Sequence, residues 1–255
     1  MDKRIPTGSA SLQQGCNQCS LSKLCIPIAV SSDDIGKLEE IIKQGRILDR
    51  GEQAFEQHAP FTSCFAVRSG AIKTYTLSEE GEEQVTGFYL PGEVIGLDSV
   101  SMDYYSCSAS ALERTIICEI PLEKLESLAS KLPTLQHHFF QLMSKEIQGS
   151  RQLTMLLSKN TAEERIASLL LSLSTRFSRR RLSGTEFRLP MPRSDIGNFL
   201  GLAVETVSRV FTRFQNQGMI TVKGRDVTIH NLDALREMLK HETQCLKSPE
   251  SATSA

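Results

Sequence analysis

Three cysteines lie close together near the start of the chain, at Cys16, Cys19 and Cys25. Two neighbouring thiols could form a disulfide, but the third thiol is then left over, and durable disulfides belong to oxidising compartments. Clustered thiolates are more typical of the ligands that hold zinc or an iron–sulfur centre. The spacing therefore predicts a metal centre near the N-terminal end of the chain.

A fourth thiolate would complete either kind of centre, and the sequence offers four candidates, namely Cys64, Cys107, Cys118 and Cys245. Cys64 lies in an apolar run that predicts a strand, where a cysteine is more simply a small buried side chain. Cys245 lies in the C-terminal tail. Composition does not select between Cys107 and Cys118, so the residues alone leave the fourth ligand open.

The composition is that of an ordinary globular protein. With 255 residues, of which 40% are hydrophobic and 23% charged, the chain is long enough for two compact units with proper cores. Its beginning lacks the apolar core of a signal peptide, and no stretch approaches the roughly twenty apolar residues that span a bilayer. We therefore expect a cytoplasmic protein with no membrane partner, in which the thiols stay reduced.

Charge is distributed unevenly along the chain. The part from Ser158 to His241 holds 14 Lys and Arg against 8 Asp and Glu, whereas the rest of the chain holds 15 against 22. A basic unit joined to an acidic one predicts that only the C-terminal third meets nucleic-acid phosphates. A solvated basic surface is the alternative that charge alone leaves open.

Glycines punctuate residues 48–119 and separate short apolar runs, a pattern typical of antiparallel strands joined by tight turns. Strands at such intervals predict a small roll or barrel. Before this region, apolar residues at helical spacing favour a helix over 28–47. After it, residues 122–157 contain few helix breakers besides Pro133 and are predicted to form a long helix.

Two apolar stripes follow this long helix. One apolar face of the helix can pack on the chain's own roll, while the neighbouring face pairs with the same helix of a second copy, as in a short coiled coil. Burial of both faces within one chain is the alternative. The face predicted to pack inwards carries Leu135, Phe139, Leu142, Leu153 and Leu156. The face predicted to form a homodimer interface carries Phe140, Met143, Ile147, Ser150, Thr154 and Leu157.

The most specific local pattern runs over residues 193–211 and predicts a helix-turn-helix. Ser194 can cap the first helix, and Gly201 permits a left-handed turn before the second. Residues 219–223 and 226–229 are predicted to complete the module as a wing-like hairpin. The face of the second helix predicted to point inwards carries Val204, Val207, Phe211 and Phe214.

The outward face of the second helix is predicted to contact DNA through Glu205, Ser208, Arg209 and Arg213. Glu205 and Arg209 are four residues apart, so both can enter a major groove, where a carboxylate accepts from cytosine and a guanidinium donates to guanine. A simple surface ion pair between these two side chains is the alternative.

With a roll, a long helix and a winged helix-turn-helix in this order, the chain resembles the cyclic-AMP receptor superfamily of bacterial transcription regulators. Within it, three features are similar to the fumarate and nitrate reduction regulator (FNR) branch. These are the cysteine arrangement, the Cys-Ile-Pro and Cys-Glu-Ile-Pro segments at 25–27 and 118–121, and the Glu-Thr-Val-Ser-Arg motif at 205–209. The resemblance covers roughly residues 12–243.

This resemblance implies an α+β protein with an N-terminal antiparallel β-roll sensor domain, a long dimerisation helix and a C-terminal winged helix-turn-helix. The implied segments are a cluster-binding segment at 1–28, the roll at 29–130, the dimerisation helix at 131–158, the DNA-binding domain at 159–241 and a flexible tail at 242–255. The helix-turn-helix itself is expected at about 193–212.

The resemblance also implies the function. One [4Fe–4S] cluster per subunit, held by Cys16, Cys19, Cys25 and Cys118, is expected to form without oxygen and to be lost in it. Cluster assembly is expected to promote dimerisation and binding to double-stranded promoter DNA of the palindromic TTGAT…ATCAA type, with activation of anaerobic and repression of aerobic genes. An acidic hairpin is expected to contact RNA polymerase, a solvated turn being the alternative; its residues are Glu79, Glu80, Glu82 and Glu83.

Three further expectations follow. Gly92 and Glu93 resemble the start of a cyclic-nucleotide phosphate cassette, but residues 105–109 lack the arginine that should neutralise the phosphate, so no cyclic nucleotide is expected.

The family pattern carries Asp where this chain has Ser150, and loss of that charge predicts easier dimerisation of the metal-free protein. No catalytic constellation is present, so an enzyme is not expected. A zinc-stabilised regulator remains the rival.

Overall fold

The computed structural model describes residues 15–239. The predicted tail at 242–255, Cys245 and residues 1–14 of the predicted cluster-binding segment lie outside these described residues. The chain divides into two compact units between Gly149 and Ser150. Within the described part, no helix is both long and apolar enough to cross a membrane.

Eight antiparallel strands form two four-stranded sheets in the N-terminal unit, which confirms the predicted roll. In one sheet the order is β1-β8-β3-β6 and in the other β2-β7-β4-β5. Gly70 lies in the turn between β3 and β4 with a φ of +79°, which favours glycine. The strands are β1 (Lys43–Leu48), β2 (Gln53–Phe55), β3 (Ser63–Ser69), β4 (Ile72–Leu77), β5 (Glu83–Tyr89), β6 (Val94–Ile95), β7 (Ser108–Ala111) and β8 (Thr115–Pro121).

Three α-helices accompany the roll, namely α1 (Ile35–Ile41), α2 (Leu122–Ala129) and α3 (Pro133–Lys159). The prediction of a helix over 28–47 was too long, because a 3-10 turn at Ile26–Ala29 precedes α1 and β1 begins at Lys43. The prediction of unbroken helix over 122–157 was also wrong. Pro133 disfavours helical backbone at the residue before it and is favoured in the first turn of a helix, so α3 starts at this proline, after α2 has ended at Ala129.

Helix α3 has one face in the core and one face towards solvent. On the inner face, Leu135 is fully buried, and Phe139 and Leu142 pack partly buried against the same core. On the opposite stripe, Phe140 is 56% exposed and Ile147 is 55% exposed. Large apolar side chains exposed on one helix face are typical of a surface that another protein covers.

The C-terminal unit contains the predicted winged helix-turn-helix. Its two short helices are accompanied by a three-stranded sheet of order β10-β11-β9. In the chain, β9 comes before the two helices, and β10 and β11 come after them. Gly201 has the predicted left-handed conformation, with a φ of +61°, between α5 and α6. The elements are α4 (Ala162–Arg179), β9 (Glu186–Arg188), α5 (Arg193–Leu200), α6 (Val204–Asn216), β10 (Ile220–Lys223), β11 (Asp226–Ile229) and α7 (Leu232–Glu237).

Two details of this unit differ from the prediction. The first is the start of α5, where Pro192 rather than Ser194 occupies the capping position and makes no side-chain cap. The second is Val204, which is 41% exposed because it begins α6, while Val210 is buried on the inner face instead. Val207, Phe211 and Phe214 are buried as predicted.

Arg165 of α4 joins three parts of the C-terminal unit. Its guanidinium donates to the carbonyl oxygens of Asn160 at 2.9 Å, Leu157 at 2.8 Å and Leu200 at 2.9 Å. Leu157 lies in the last turn of α3 and Leu200 ends α5, and such carbonyls have no acceptor role inside their own helices. One side chain therefore connects the end of α3, the following linker and the first helix of the helix-turn-helix.

Candidate functional site

Four cysteines line one cavity in the N-terminal unit. Cys16 begins a 3-10 turn at Cys16–Gln18, and Cys25 immediately precedes the 3-10 turn at Ile26–Ala29. Cys19 lies in the turn between them, and Cys118 reaches the same cavity from strand β8. The structure therefore brings together the four cysteines named in the sequence analysis as cluster ligands.

The two rival cysteines within the described residues lie elsewhere. Cys64 is fully buried on β3, where its thiol donates to the Gly96 carbonyl at 3.7 Å. Cys107 is 4% exposed, and its thiol donates to Asp98 at 3.5 Å. Neither side chain lines the cavity that the other four share. Of the candidates within the described residues, Cys118 is the one that shares the cavity with the N-terminal thiols.

Burial raises the pKa of the Cys16, Cys25 and Cys118 thiols and so favours their protonated form. Burial raises the pKa of Cys16 to about 12, with a further increase from Cys118 and Glu39. Burial likewise raises the pKa of Cys25 to about 12. For Cys118, burial raises the thiol pKa, and the charge of Arg68 opposes that increase. A metal must therefore displace protons when it binds these sulfurs, which makes its affinity depend on pH.

Two charged residues at this site were missed by the sequence analysis. Arg68 follows the apolar run of β3 and lines the cavity. Glu39 of α1 accepts a hydrogen bond from the backbone N–H of Asn17 at 2.8 Å. The sequence contains no local signal for either role, since each depends on which strand or helix lies beside the cysteine segment.

The types of donor atom in the cavity fit a metal centre, although the side chains are too far apart to hold a single ion. The cavity presents four sulfurs together with apolar side chains such as Ile26 and Ile120, which suits zinc or an iron–sulfur cluster. Within residues 15–239, no group of three or more His, Cys, Asp or Glu side chains is set closely enough to hold a single metal ion. The fit therefore depends on the kind of donors and on their shared cavity.

A single hydrophobic core connects the cysteines to the long helix. Cys16 and Leu135 belong to the same cluster of buried side chains, and Cys25 and Cys118 pack against it. Phe139 of α3 packs on this cluster as well. The cysteine segment and the inner face of α3 therefore share one core.

The second helix of the helix-turn-helix presents the predicted DNA-contacting side chains to solvent. Glu205, Ser208 and Arg209 are all exposed. The Arg209 guanidinium donates to the Thr206 hydroxyl at 3.0 Å, so it is held close to the helix. Arg213 is also exposed, but it forms an ion pair with Glu163 of α4. Contact between Arg213 and a phosphate would have to compete with this pair.

The acidic hairpin joins β4 to β5 as a tight turn. Glu79, Glu80 and Glu82 are exposed, and the Ser78 hydroxyl accepts from the backbone N–H groups of Glu80 and Glu82. Glu83 differs because it pairs with Lys73 at 2.5 Å. The turn thus offers three exposed carboxylates to a partner, and the fourth is bound to a lysine.

The region that resembles a cyclic-nucleotide cassette has its own internal contacts. Gly92 lies in a turn with a φ of +90°. Tyr105 is 4% exposed, stacks on Phe55 with ring centroids 4.1 Å apart, and donates to the Ser63 carbonyl at 2.8 Å. A buried aromatic side chain therefore lies at the start of residues 105–109. Next to it, the Ser106 hydroxyl donates a hydrogen bond to the Asp98 carboxylate at 2.5 Å.

Two family models match the chain. A cyclic nucleotide-binding domain matches residues 46–131, which comprise most of the roll. A Crp-like helix-turn-helix domain matches residues 164–238. Among solved structures, FixK2 from Bradyrhizobium japonicum is similar with a TM-score of 0.71 and 28% identity, over 76% of this chain and 96% of that one.

Curated relatives match along nearly the whole length. The transcriptional activator protein Anr of Pseudomonas aeruginosa is 52% identical over 88% of this chain and 91% of its own length. The fumarate and nitrate reduction regulatory protein of Escherichia coli K12 is 44% identical over 94% of this chain and 95% of its own. The chain therefore belongs to the Anr and FNR family of CRP/FNR-type transcription regulators and is not an enzyme.

Proposed function

We propose that the chain is an oxygen-responsive transcription regulator that binds palindromic promoter DNA as a homodimer while its four cavity thiolates hold one [4Fe–4S] cluster per subunit. The names of its relatives, a transcriptional activator and a fumarate and nitrate reduction regulatory protein, support a regulatory role in transcription. Because promoter DNA is the partner, the proposed compartment is the cytoplasm.

The observation that carries the proposal is the single cavity lined by Cys16, Cys19, Cys25 and Cys118. Four thiolates are the usual ligand set of a [4Fe–4S] cluster. When bound, such a cluster supplies an oxygen-labile link between the N-terminal segment and the roll. The guanidinium of Arg68 lies in the same lining and offsets part of the negative charge that four thiolates bring into a mostly apolar site.

The homodimer interface is proposed to be the exposed stripe on α3. Phe140 and Ile147 are more than half exposed, whereas the opposite face is packed on the core that contains Cys16. Ligation of the cysteine segment restrains that core, and the core holds α3 in one rotation. In this rotation Phe140, Met143, Ile147, Ser150, Thr154 and Leu157 are available to a second copy.

DNA recognition is proposed to use the exposed face of α6. Arg209 is assigned to a guanine in each half-site, Glu205 to the neighbouring base pair and Ser208 to a phosphate or a thymine. Two such helices in a homodimer would meet half-sites of TTGAT…ATCAA type about one helical turn apart. Arg213 would add a phosphate contact when it leaves Glu163.

Transcription is proposed to be activated at anaerobic genes and repressed at aerobic genes, with RNA polymerase as a further partner. The exposed carboxylates of Glu79, Glu80 and Glu82 are the proposed contact. No cyclic nucleotide is proposed as a ligand, because residues 105–109 lack the arginine that would neutralise the phosphate.

Protein purified without oxygen tests the cluster directly. We expect brown protein with about four iron and four inorganic sulfide per chain, and operator binding that is lost in air together with the colour. Protein devoid of sulfide, or operator binding that is equal in air, contradicts the proposal.

A matched pair of substitutions tests the ligands. Cys118→Ala and Cys64→Ala make the same change on the neighbouring strands β8 and β3. We expect Cys118→Ala to abolish the cluster and Cys64→Ala to keep it, and Cys107→Ala serves as a second non-ligand control. Retention of the cluster by Cys118→Ala removes that residue from the ligand set.

A zinc-stabilised regulator is the alternative, because four thiolates also suit tetrahedral zinc. A zinc form is colourless, contains zinc without inorganic sulfide and keeps its DNA affinity in air. The same preparation and the same metal analysis therefore distinguish the two centres.

A further inference from the structure

The backbone beside the first cysteine of the cavity is hydrogen-bonded to a side chain of helix α1. Backbone hydrogen bonds in residues 15–29 are local, as in Gln18 N–H to the Gly15 carbonyl at 3.2 Å and Cys19 N–H to the Cys16 carbonyl at 3.2 Å. The bond from Asn17 N–H to Glu39 at 2.8 Å leaves this segment for another element.

Glu39 stands on a well-fixed helix. Its neighbour Leu38 is fully buried in the core that also contains Cys16 and Ile42. The carboxylate therefore projects from a helix anchored in the core towards the segment that carries Cys16. A hydrogen bond to a charged acceptor is about twice as strong as one between neutral groups.

Gly15 gives independent support for this close contact. A Cβ atom at Gly15 would lie 2.4 Å from Oε1 of Glu39 and 2.9 Å from its Cδ, distances that real side chains do not adopt. The Glu39 carboxylate thus lies close to the backbone of both Gly15 and Asn17, the two neighbours of Cys16 in the chain. Any other residue at position 15 would push the carboxylate away from Asn17.

We propose that Glu39 is a positioning residue for the metal centre, which holds Cys16 in the cavity through its hydrogen bond to the Asn17 backbone. This inference rests on the proposed metal-binding function but not on the identity of the metal. Partners that orient ligands typically change metal affinity or activity by about 10–100-fold when they are mutated.

The hydrogen bond and the charge of Glu39 can be separated experimentally. Glu39→Gln keeps an acceptor oxygen and removes the charge, whereas Glu39→Ala removes both. Gly15→Ala leaves Glu39 intact and displaces it sterically. Glu40→Ala is the matched control, because Glu40 is exposed on the same helix.

The first measurement is the rate at which full-length protein, loaded without oxygen, loses iron to a chelator. We expect Glu39→Ala and Gly15→Ala to lose iron about tenfold faster than the unmodified protein, and Glu39→Gln and Glu40→Ala to stay within about twofold of it. Loss by Glu39→Ala at the unmodified rate overturns the proposal. Equal acceleration by Glu39→Gln and Glu39→Ala also overturns it, since the charge would then be responsible.

The second measurement needs no metal. Alkylation of Cys16 in reduced, metal-free protein is followed by mass spectrometry, with Cys118 as the internal reference. Both substitutions remove the Glu39 charge, which raises the pKa of Cys16, so both favour the reactive thiolate. Because only Glu39→Ala also removes the acceptor for Asn17, we expect faster alkylation of Cys16 in Glu39→Ala than in Glu39→Gln, while Cys118 is unchanged in both. Parallel acceleration at Cys16 and Cys118 would indicate general loosening of the unit and would overturn a specific positioning role.

The outcome is distinguishable from failure of the proposed function. If the unmodified protein contains no sulfide, the iron–sulfur proposal fails, and the same variants are compared by the absorption of bound Co²⁺. If the unmodified protein holds its cluster and Glu39→Ala holds it equally well, only the inference about Glu39 fails.

Discussion

Replacement of Arg165 by methionine should loosen the C-terminal unit without altering the roll. Methionine keeps much of the side-chain volume but removes the donors to Leu157, Asn160 and Leu200. Hydrogen bonds to charged groups contribute roughly 1.5–3 kcal/mol each, and three bonds from one partly exposed side chain do not add fully. We therefore expect a loss of about 3 kcal/mol in the free energy of opening of this unit.

Hydrogen exchange followed by mass spectrometry measures this loss locally. A loss of about 3 kcal/mol corresponds to roughly a hundredfold faster exchange of the protected amides in α4, α5 and α6. The tyrosines provide a built-in control, because the chain has no tryptophan and its four tyrosines, Tyr75, Tyr89, Tyr104 and Tyr105, all lie in the N-terminal unit. Their fluorescence on urea unfolding should be unchanged.

Two further variants sharpen the Arg165 experiment. Arg165→Lys keeps the charge, but an ammonium cannot present the planar fork that reaches three carbonyls, so an intermediate loss of about 1–2 kcal/mol is expected. Arg179→Met makes the same change at an exposed position of the same helix and should have little effect. Exchange in Arg165→Met that is less than fivefold faster, or no faster than in Arg179→Met, refutes the reasoning.

Three other substitutions test different parts of the molecule. Tyr89→Phe removes the 2.7 Å hydrogen bond to Glu146 of α3 and should lower the stability of the N-terminal unit to urea by about 1–2 kcal/mol; an unchanged midpoint contradicts this. Arg209→Ala should cost about 1–3 kcal/mol in operator affinity at fixed salt and relax the preference at one base pair only. Ser150→Asp should make the metal-free protein more monomeric in sedimentation at tens of micromolar, whereas unmodified protein that is already fully monomeric there argues against the interface.

The elements of this fold are predictable from sequence where the signal is local. Glycine spacing marked the turns of the roll, and the hairpin predicted at 219–223 and 226–229 is observed as β10 and β11. The break before α3 was missed, because apolar periodicity continues through residues 130–132 and only Pro133 marks the boundary. Val204 was misassigned for a similar reason, since periodicity ignores the exposure of a helix's first turn.

The site was predictable only in part, because its parts are distant in sequence. The N-terminal cysteines are a local motif, but Cys118 reaches the cavity through the pairing of β8 with β3, where it lies opposite Ala66. Composition could not choose between Cys107 and Cys118, and the family resemblance was needed to name the latter. Glu39 and Arg165 bind backbone atoms, which every residue has, so their partners leave no trace in the sequence.

The energetics of the cysteine segment explain why a metal could control this regulator. Within the described residues, the segment is held by local turns, by the bond to Glu39 and by burial of Cys16 and Ile26 in the core, and each of these contributes only a few kcal/mol. Structural thiolate–metal sites contribute about 10–16 kcal/mol, so ligation rather than packing would decide whether the segment stays in place. Metal binding shifts α3 only if the shared core around Leu135 can pack in two ways. The size of the shift is then set by the difference between the metal affinities of these two arrangements. A homodimer sums this difference over two subunits, so a modest bias in each chain is enough to make DNA binding depend strongly on both sites.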